Sequence, residues 1–88
     1  MNNHTIAINV CDIVPGILVY NVHDGIVTFI DTVIAVNETA HEEFRRIIVF
    51  EIQIDHEHMT TSTKLNTYTW CAYKKFWDDG HIIFPDSK

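Results

Sequence analysis

The sequence predicts an all-β fold: a small barrel or a strongly bent antiparallel sheet of five to six strands, with at most one short helical turn. Three observations carry this. Ile, Val and Thr dominate the chain, and their branched Cβ restricts χ1 in a way that suits strands better than helices. Apolar and polar residues alternate with period two through several successive segments. Turn-forming pairs, among them Pro15-Gly16, Asp24-Gly25 and Asp79-Gly80, punctuate those segments.

The elements follow in order. Residues 5–10, "TIAINV", put Ile6, Ile8 and Val10 on one strand face. Pro15-Gly16 suits the central positions of a type II turn, because proline presets φ and glycine accepts φ > 0. A strand over 17–22 then reaches His23-Asp24-Gly25, and Asp-Gly between apolar runs predicts a hairpin. Its return strand spans 26–37, "IVTFIDTVIAVN", and is apolar on both faces: Ile26, Ile30, Ile34 and Val36 on one, Val27, Phe29 and Val33 on the other. Such a strand is central in a sheet, closed into a barrel or buried at a subunit contact.

Thr39 and Glu42 have capping-box spacing, which predicts one helical turn at 40–44. "RRIIVFEIQIDHEH" alternates too cleanly for a helix, with Ile48, Phe50, Ile52 and Ile54 on one face and Glu51, Gln53, Asp55 and Glu57 on the other. The Thr-rich run at 61–73 reads as a long strand. Asp78-Asp79-Gly80 turns the chain into a last short strand, "HIIF", which Pro85 ends. The "VPGILV" segment followed by a hairpin resembles the opening of small SH3-like barrels. That resemblance covers about a third of the chain and implies a fold, not a function.

At 88 residues the chain predicts a single domain over 1–88, near the small end for a self-sufficient core, so self-association is a natural remedy. Its 47% hydrophobic content marks a globular protein, and its net charge of −6 argues against binding duplex nucleic acid. No stretch reaches the ~20 apolar residues of a membrane span, and no charged n-region precedes an apolar run at the start. The expectation is a cytoplasmic protein that contacts no membrane, with Cys11 and Cys71 free and buried as packing residues.

One stretch raises metal chemistry. "DHEHM", residues 55–59, sets His56 and His58 on the same strand face, where two imidazoles can share one ion. A catalytic site needs a third ligand, from His81, His23, His4, His41 or Cys71. The simpler reading is a strand end with half-solvated histidines at its rim, and a protonation switch is a further one. The expectation is no metal and no cofactor. The carboxylates Asp24, Asp78 and Asp79 belong to turns, and there is neither a phosphate loop nor a nucleophile elbow.

The most distinctive stretch is "TYTWCAYKKFW". Tyr68, Trp70, Phe76 and Trp77 beside Lys74 and Lys75 suit a protein hot spot or a stacking, phosphate-pairing pocket; they also suit the core of a small barrel. Arg45 and Arg46 pair with their own acidic neighbours or lie at a subunit boundary. The sequence therefore predicts a non-enzymatic, homo-oligomeric binding module that docks on or inhibits a protein partner. The alternative is an oligomeric sponge for a small anionic ligand such as a nucleotide, similar in size and class to phage counter-defence factors. A histidine-ligated metal protein comes third.

Overall fold

The computed structural model of the protein describes residues 9–83. Most of the strand expected at 5–10 and the end of the last strand at Phe84 and Pro85 lie outside them; Val10 itself opens a short 3-10 turn, Val10–Asp12. Five strands follow, β1 (Leu18–His23), β2 (Ile26–Asn37), β3 (Arg46–Asp55), β4 (Thr60–Thr69) and β5 (Ile82–Ile83), with one helix, α1 (Trp70–Asp78). All pairings are antiparallel, in the order β4-β3-β2-β1-β5. The sheet is open. Of the two expected architectures the antiparallel sheet forms, and the barrel closure does not.

The turn chemistry works as the residues dictate. Ile17 N–H donates to Val14 O at 3.2 Å across Pro15-Gly16, and Gly16 takes φ 99°, as the third position of a type II turn requires. Asp24 and Gly25 both have positive φ, 52° and 77°, so the β1–β2 link is a two-residue type I′ turn whose twist matches the strands. The expected helical turn after β2 is a 3-10 segment, Glu42–Phe44.

α1 is the principal correction. The Thr-rich run predicts a single strand over 61–73, yet β4 stops at Thr69 and the chain enters a helix. Thr69 is the N-cap, its Oγ1 accepting from Ala72 N–H at 3.3 Å. Trp70, Tyr73, Phe76 and Trp77 then recur at helical spacing and form one apolar stripe. Trp70 and Tyr73 are buried among Ile13, Val19, Val33, Ile47, Val49 and Ile82, and Phe76 and Trp77 pack against that cluster. A strand at 70–73 would have spread these aromatics over both faces.

The helix decides which side of the sheet is core. Paired residues share a face, so Val19, Asp31, Glu51 and Lys64 make one row, Val33, Val49 and Asn66 the next, and Val36, Ile47 and Tyr68 a third. These rows contribute the core, and α1 covers them. A register shift between Val33 and Ala35 makes Ile34 an extra residue, which returns Val36 to the helix side, away from the Ile30 face expected for it. The strand face expected to be core in β3, Ile48, Phe50, Ile52 and Ile54, is the opposite one.

Candidate functional site

The side of the sheet away from α1 carries apolar side chains with no element over them among the described residues. Its rows are Leu18, Thr32, Phe50 and Leu65; Tyr20, Ile30, Ile52 and Thr63; and Ala35, Ile48 and Thr67. None is buried: Phe50 is 40% exposed and Leu65 66%, while Tyr20, Ile30, Ile48 and Ile52 are half-buried. None of these eleven positions is charged. Strands of six, twelve, ten and ten residues, about 4.8 Å apart at about 3.3 Å per residue, give this side of the sheet an area of roughly 600 Å². An uncovered apolar patch of a few hundred Å² within it is often an interaction surface.

Acids lie in the loops at both ends of the sheet: Asp24 in the β1–β2 turn and Glu57 in the β3–β4 loop at one end, Glu38, Glu42 and Glu43 after β2 at the other. The uncovered face itself ends, beside the latter, on the row Asn37, Arg46 and Thr69.

The covered side holds an unexpected polar cluster. Asp31 and Glu51 are cross-strand partners, 1% and 2% exposed. Tyr73 O–H donates to Asp31 Oδ2 at 2.6 Å, Tyr68 O–H to Glu51 Oε2 at 2.7 Å, and Asn66 Nδ2 to Glu51 Oε1 at 3.2 Å. The Tyr68 and Tyr73 rings stack, their centroids 5.2 Å apart. Asp31 Oδ1 receives no hydrogen bond. Burial, then the adjoining Glu51, push the Asp31 carboxyl up to about 7, so it holds a proton where an ordinary carboxyl is ionised. Burial alone would raise Glu51 too, but hydrogen bonds from Asp31, Tyr68 and Asn66 outweigh it and hold Glu51 below the usual range. Both tyrosine hydroxyls are pushed up, first by burial and then by the carboxylate each one touches. The proton on Asp31 turns an orphaned acceptor into a donor toward Glu51. The Tyr73–Asp31 bond ties the helix to the sheet, and Glu51 is held by Tyr68 and Asn66 of β4.

The histidines of "DHEHM" divide. β3 ends at Asp55, and 56–59 form the hairpin loop with Met59 at φ 58°. Asp55 Oδ1 accepts from the backbone N–H of Glu57 and His58, and Asp55 Oδ2 lies 2.9 Å from His58 Nδ1. The His58 side-chain contact is the main reason that the Asp55 carboxyl sits below its ordinary range. His56 Nε2 instead meets Val27 O at 2.7 Å. The two imidazoles are tied to different partners. Among the described residues no three His, Cys, Asp or Glu side chains converge as a metal-holding group; His4 lies outside them. His23 and His81 stack on each other, 5.0 Å between centroids.

The remaining sequence candidates also separate. Trp70 is 7% exposed in the core, and Tyr68, Phe76 and Trp77 pack against that core under the sheet's covered side. Trp77 also lines a cleft of about 450 Å³ with Val22, Gly25, Gly80, Ile82 and Ile83. Lys74 reaches Asp78 at 2.7 Å and Lys75 reaches Asp79 at 3.6 Å, each one helical turn on, so the lysines face their own acids. Arg45 O accepts from Trp70 N–H, and Arg46 pairs with Thr69 across β3 and β4. Cys11 and Cys71 are both exposed, not buried as expected; Cys71 lies 3.3 Å from the Thr69 hydroxyl.

Comparison with protein-family models, with curated proteins and with solved structures finds no significant match. The site therefore stands on its geometry. Sequence reasoning missed Asp31 and Glu51, although each interrupts an otherwise apolar strand face once α1 is placed; it found the apolar face of β3 and assigned it to the core.

Proposed function

We propose that the chain is a self-associating binding module, not a catalyst, and that it docks on a protein partner through the uncovered side of its sheet. The observation that carries this is the face built on Phe50, Leu65, Leu18 and Ile48: apolar, uncharged over its three central rows, and with no element over it among the described residues. A typical specific interface takes about 800 Å² from each partner, and a face of roughly 600 Å² with its borders matches that size. Phe50, at its centre and 40% exposed, has the character of an anchor. The acidic loops at the ends of the sheet and the net charge of −6 favour a partner whose apolar patch is flanked by Lys and Arg. The aromatics that the sequence favours as anchors, Tyr68, Trp70, Phe76 and Trp77, serve the core, so this role passes to Phe50 and its neighbours.

The test is a photo-crosslinking residue placed at Phe50, with a control at exposed His58 on the loop. The reading expects a discrete crosslinked protein from position 50 that the control does not give, with Lys and Arg beside the attachment point. Position 50 yielding nothing above the control would count against it.

A second reading, capture of a small anion such as a nucleotide, draws on one observation. Arg45 Nε is buried without a hydrogen-bond partner among the described residues, close to where β3 meets α1. Native mass spectrometry of the protein purified from cells tests it directly: a retained anionic adduct, lost in Arg45→Met, supports it, and bare protein does not.

A further inference from the structure

We infer that the β4 edge pairs antiparallel with the β4 edge of a second copy, joining two sheets into one of ten strands. The inference rests on the self-association in the proposed reading and gives it a surface and a register.

The two sheet edges differ sharply. One ends in β5, two residues long. The other is β4, ten residues with its outer side unpaired among the described residues. Exposed edges are normally guarded by shortness, proline, a bulge or several charges. β4 has no proline, its register with β3 runs without a shift from Thr60 to Thr69, and Lys64 is its one charged residue. β-branched Thr60, Thr61, Thr63, Thr67 and Thr69 favour the extended backbone. From Thr69 the chain turns onto the covered side through α1, whose contacts lead to β5 and the 3-10 turn after β2. The edge stays open to a strand that adds its own main-chain hydrogen bonds.

Lys64 selects the register. Two identical strands pair antiparallel about a twofold axis normal to the sheet, which brings residues of the same face opposite each other. Centred on Lys64, the pairing would set one ammonium against its copy, and like charges directly opposite are unfavourable. Centred on Thr63 or on Asn66, it would leave more of the strand unpaired. Centred on Leu65, it matches residues 61 to 69 with their copies, sets Leu65 on Leu65, and places Lys64 beside Asn66. Leu65 is 66% exposed in one chain, and here its apolar side chain gains a partner. The two uncovered faces then lie side by side on the same surface of the joined sheet, and both helices lie on the other. The partner-binding face is doubled and remains free.

Cysteine trapping reads the register. In a Cys11→Ser, Cys71→Ser background, Leu65→Cys places two thiols opposite each other, at a Cα separation of about 4.5–5.5 Å that a disulfide spans. Under mild oxidation Leu65→Cys should form covalent dimer at least tenfold faster than Thr63→Cys, which keeps Lys64 and in this register lies opposite residue 67 and not its own copy, and native mass spectrometry of the unsubstituted protein should show dimer. Equal trapping at both positions, or faster trapping at Thr63→Cys, would overturn the register. Trapping through Phe50→Cys in place of Leu65→Cys would overturn the edge, since it marks face-to-face packing. A purely monomeric mass overturns the inference and leaves the Phe50 photo-crosslink to decide the docking reading separately.

Discussion

Replacing Asp31 by asparagine should remove most of the protein's loss of stability between pH 5 and pH 8. In the folded chain the Asp31 carboxyl is raised from 3.8 to about 7. A group raised on folding contributes stability that is complete below its unfolded value and is lost as pH climbs through the folded one. The window is therefore about pH 4 to 7. Glu51 runs the other way: its carboxyl is lowered, so its contribution is present above the ordinary 4.5 and is lost on acidification. At about 1.4 kcal/mol per unit, the rise at Asp31 is worth at most roughly 4 kcal/mol, and relaxation around the pair brings the expectation to about 2–4 kcal/mol. That is a large part of what a domain of this size has. The amide introduced by Asp31→Asn would imitate the protonated acid, its oxygen accepting from the Tyr73 hydroxyl and its NH₂ donating toward Glu51. Urea unfolding followed by circular dichroism at pH 5, 6, 7 and 8 measures both proteins. The unsubstituted chain should lose about 1–3 kcal/mol across the series, since about two units of the window fall within it, and Asp31→Asn less than half as much. A parallel pair of curves would refute the shared proton.

Two further changes test local backbone chemistry. Thr69→Ala removes the side-chain oxygen that accepts from Ala72 N–H and should cost about 1 kcal/mol, read as a lower urea midpoint at unchanged m-value. Met59→Gly should stabilise by roughly 0.5–1 kcal/mol: Met59 holds φ 58° in the β3–β4 loop, is 86% exposed, and loses no packing when its side chain is removed. A lower melting temperature for this variant would mean that the loop geometry is wrong.

The turns and central strands were legible because their signals are local. Asp24-Gly25 fixes a type I′ turn through two positive φ values, and β2 begins and ends where its apolar run does. The helix was legible as well, but its signal competed with a louder one. The threonines of β4 continue to Thr69, so a strand reading runs on into Trp70; the spacing of Trp70, Tyr73, Phe76 and Trp77, with lysines four residues before aspartates, is helical. Thr69 belongs to both patterns, as the last residue of one element and the N-cap of the next.

That single misplacement explains why the sequence reads the site inside out. Periodicity of two separates the faces of β3 but does not say which one is covered; only the element above the sheet does. Hydrophobicity favours the face of Ile48, Phe50 and Ile52 over one containing Glu51, and for a sheet covered on one side alone that choice is usually sound. Here α1 covers Ile47, Val49 and Glu51, and brings the Tyr73 hydroxyl that makes burial of the carboxyl pair tolerable. The chain thus places its acids under the helix with donors to match and leaves its more apolar β3 face outside. Stability of the single chain does not require that arrangement: exchanging the roles of the two faces would bury more hydrocarbon and no carboxyl. An open face of Phe50, Ile48 and Leu65 is what a chain needs if another surface completes it.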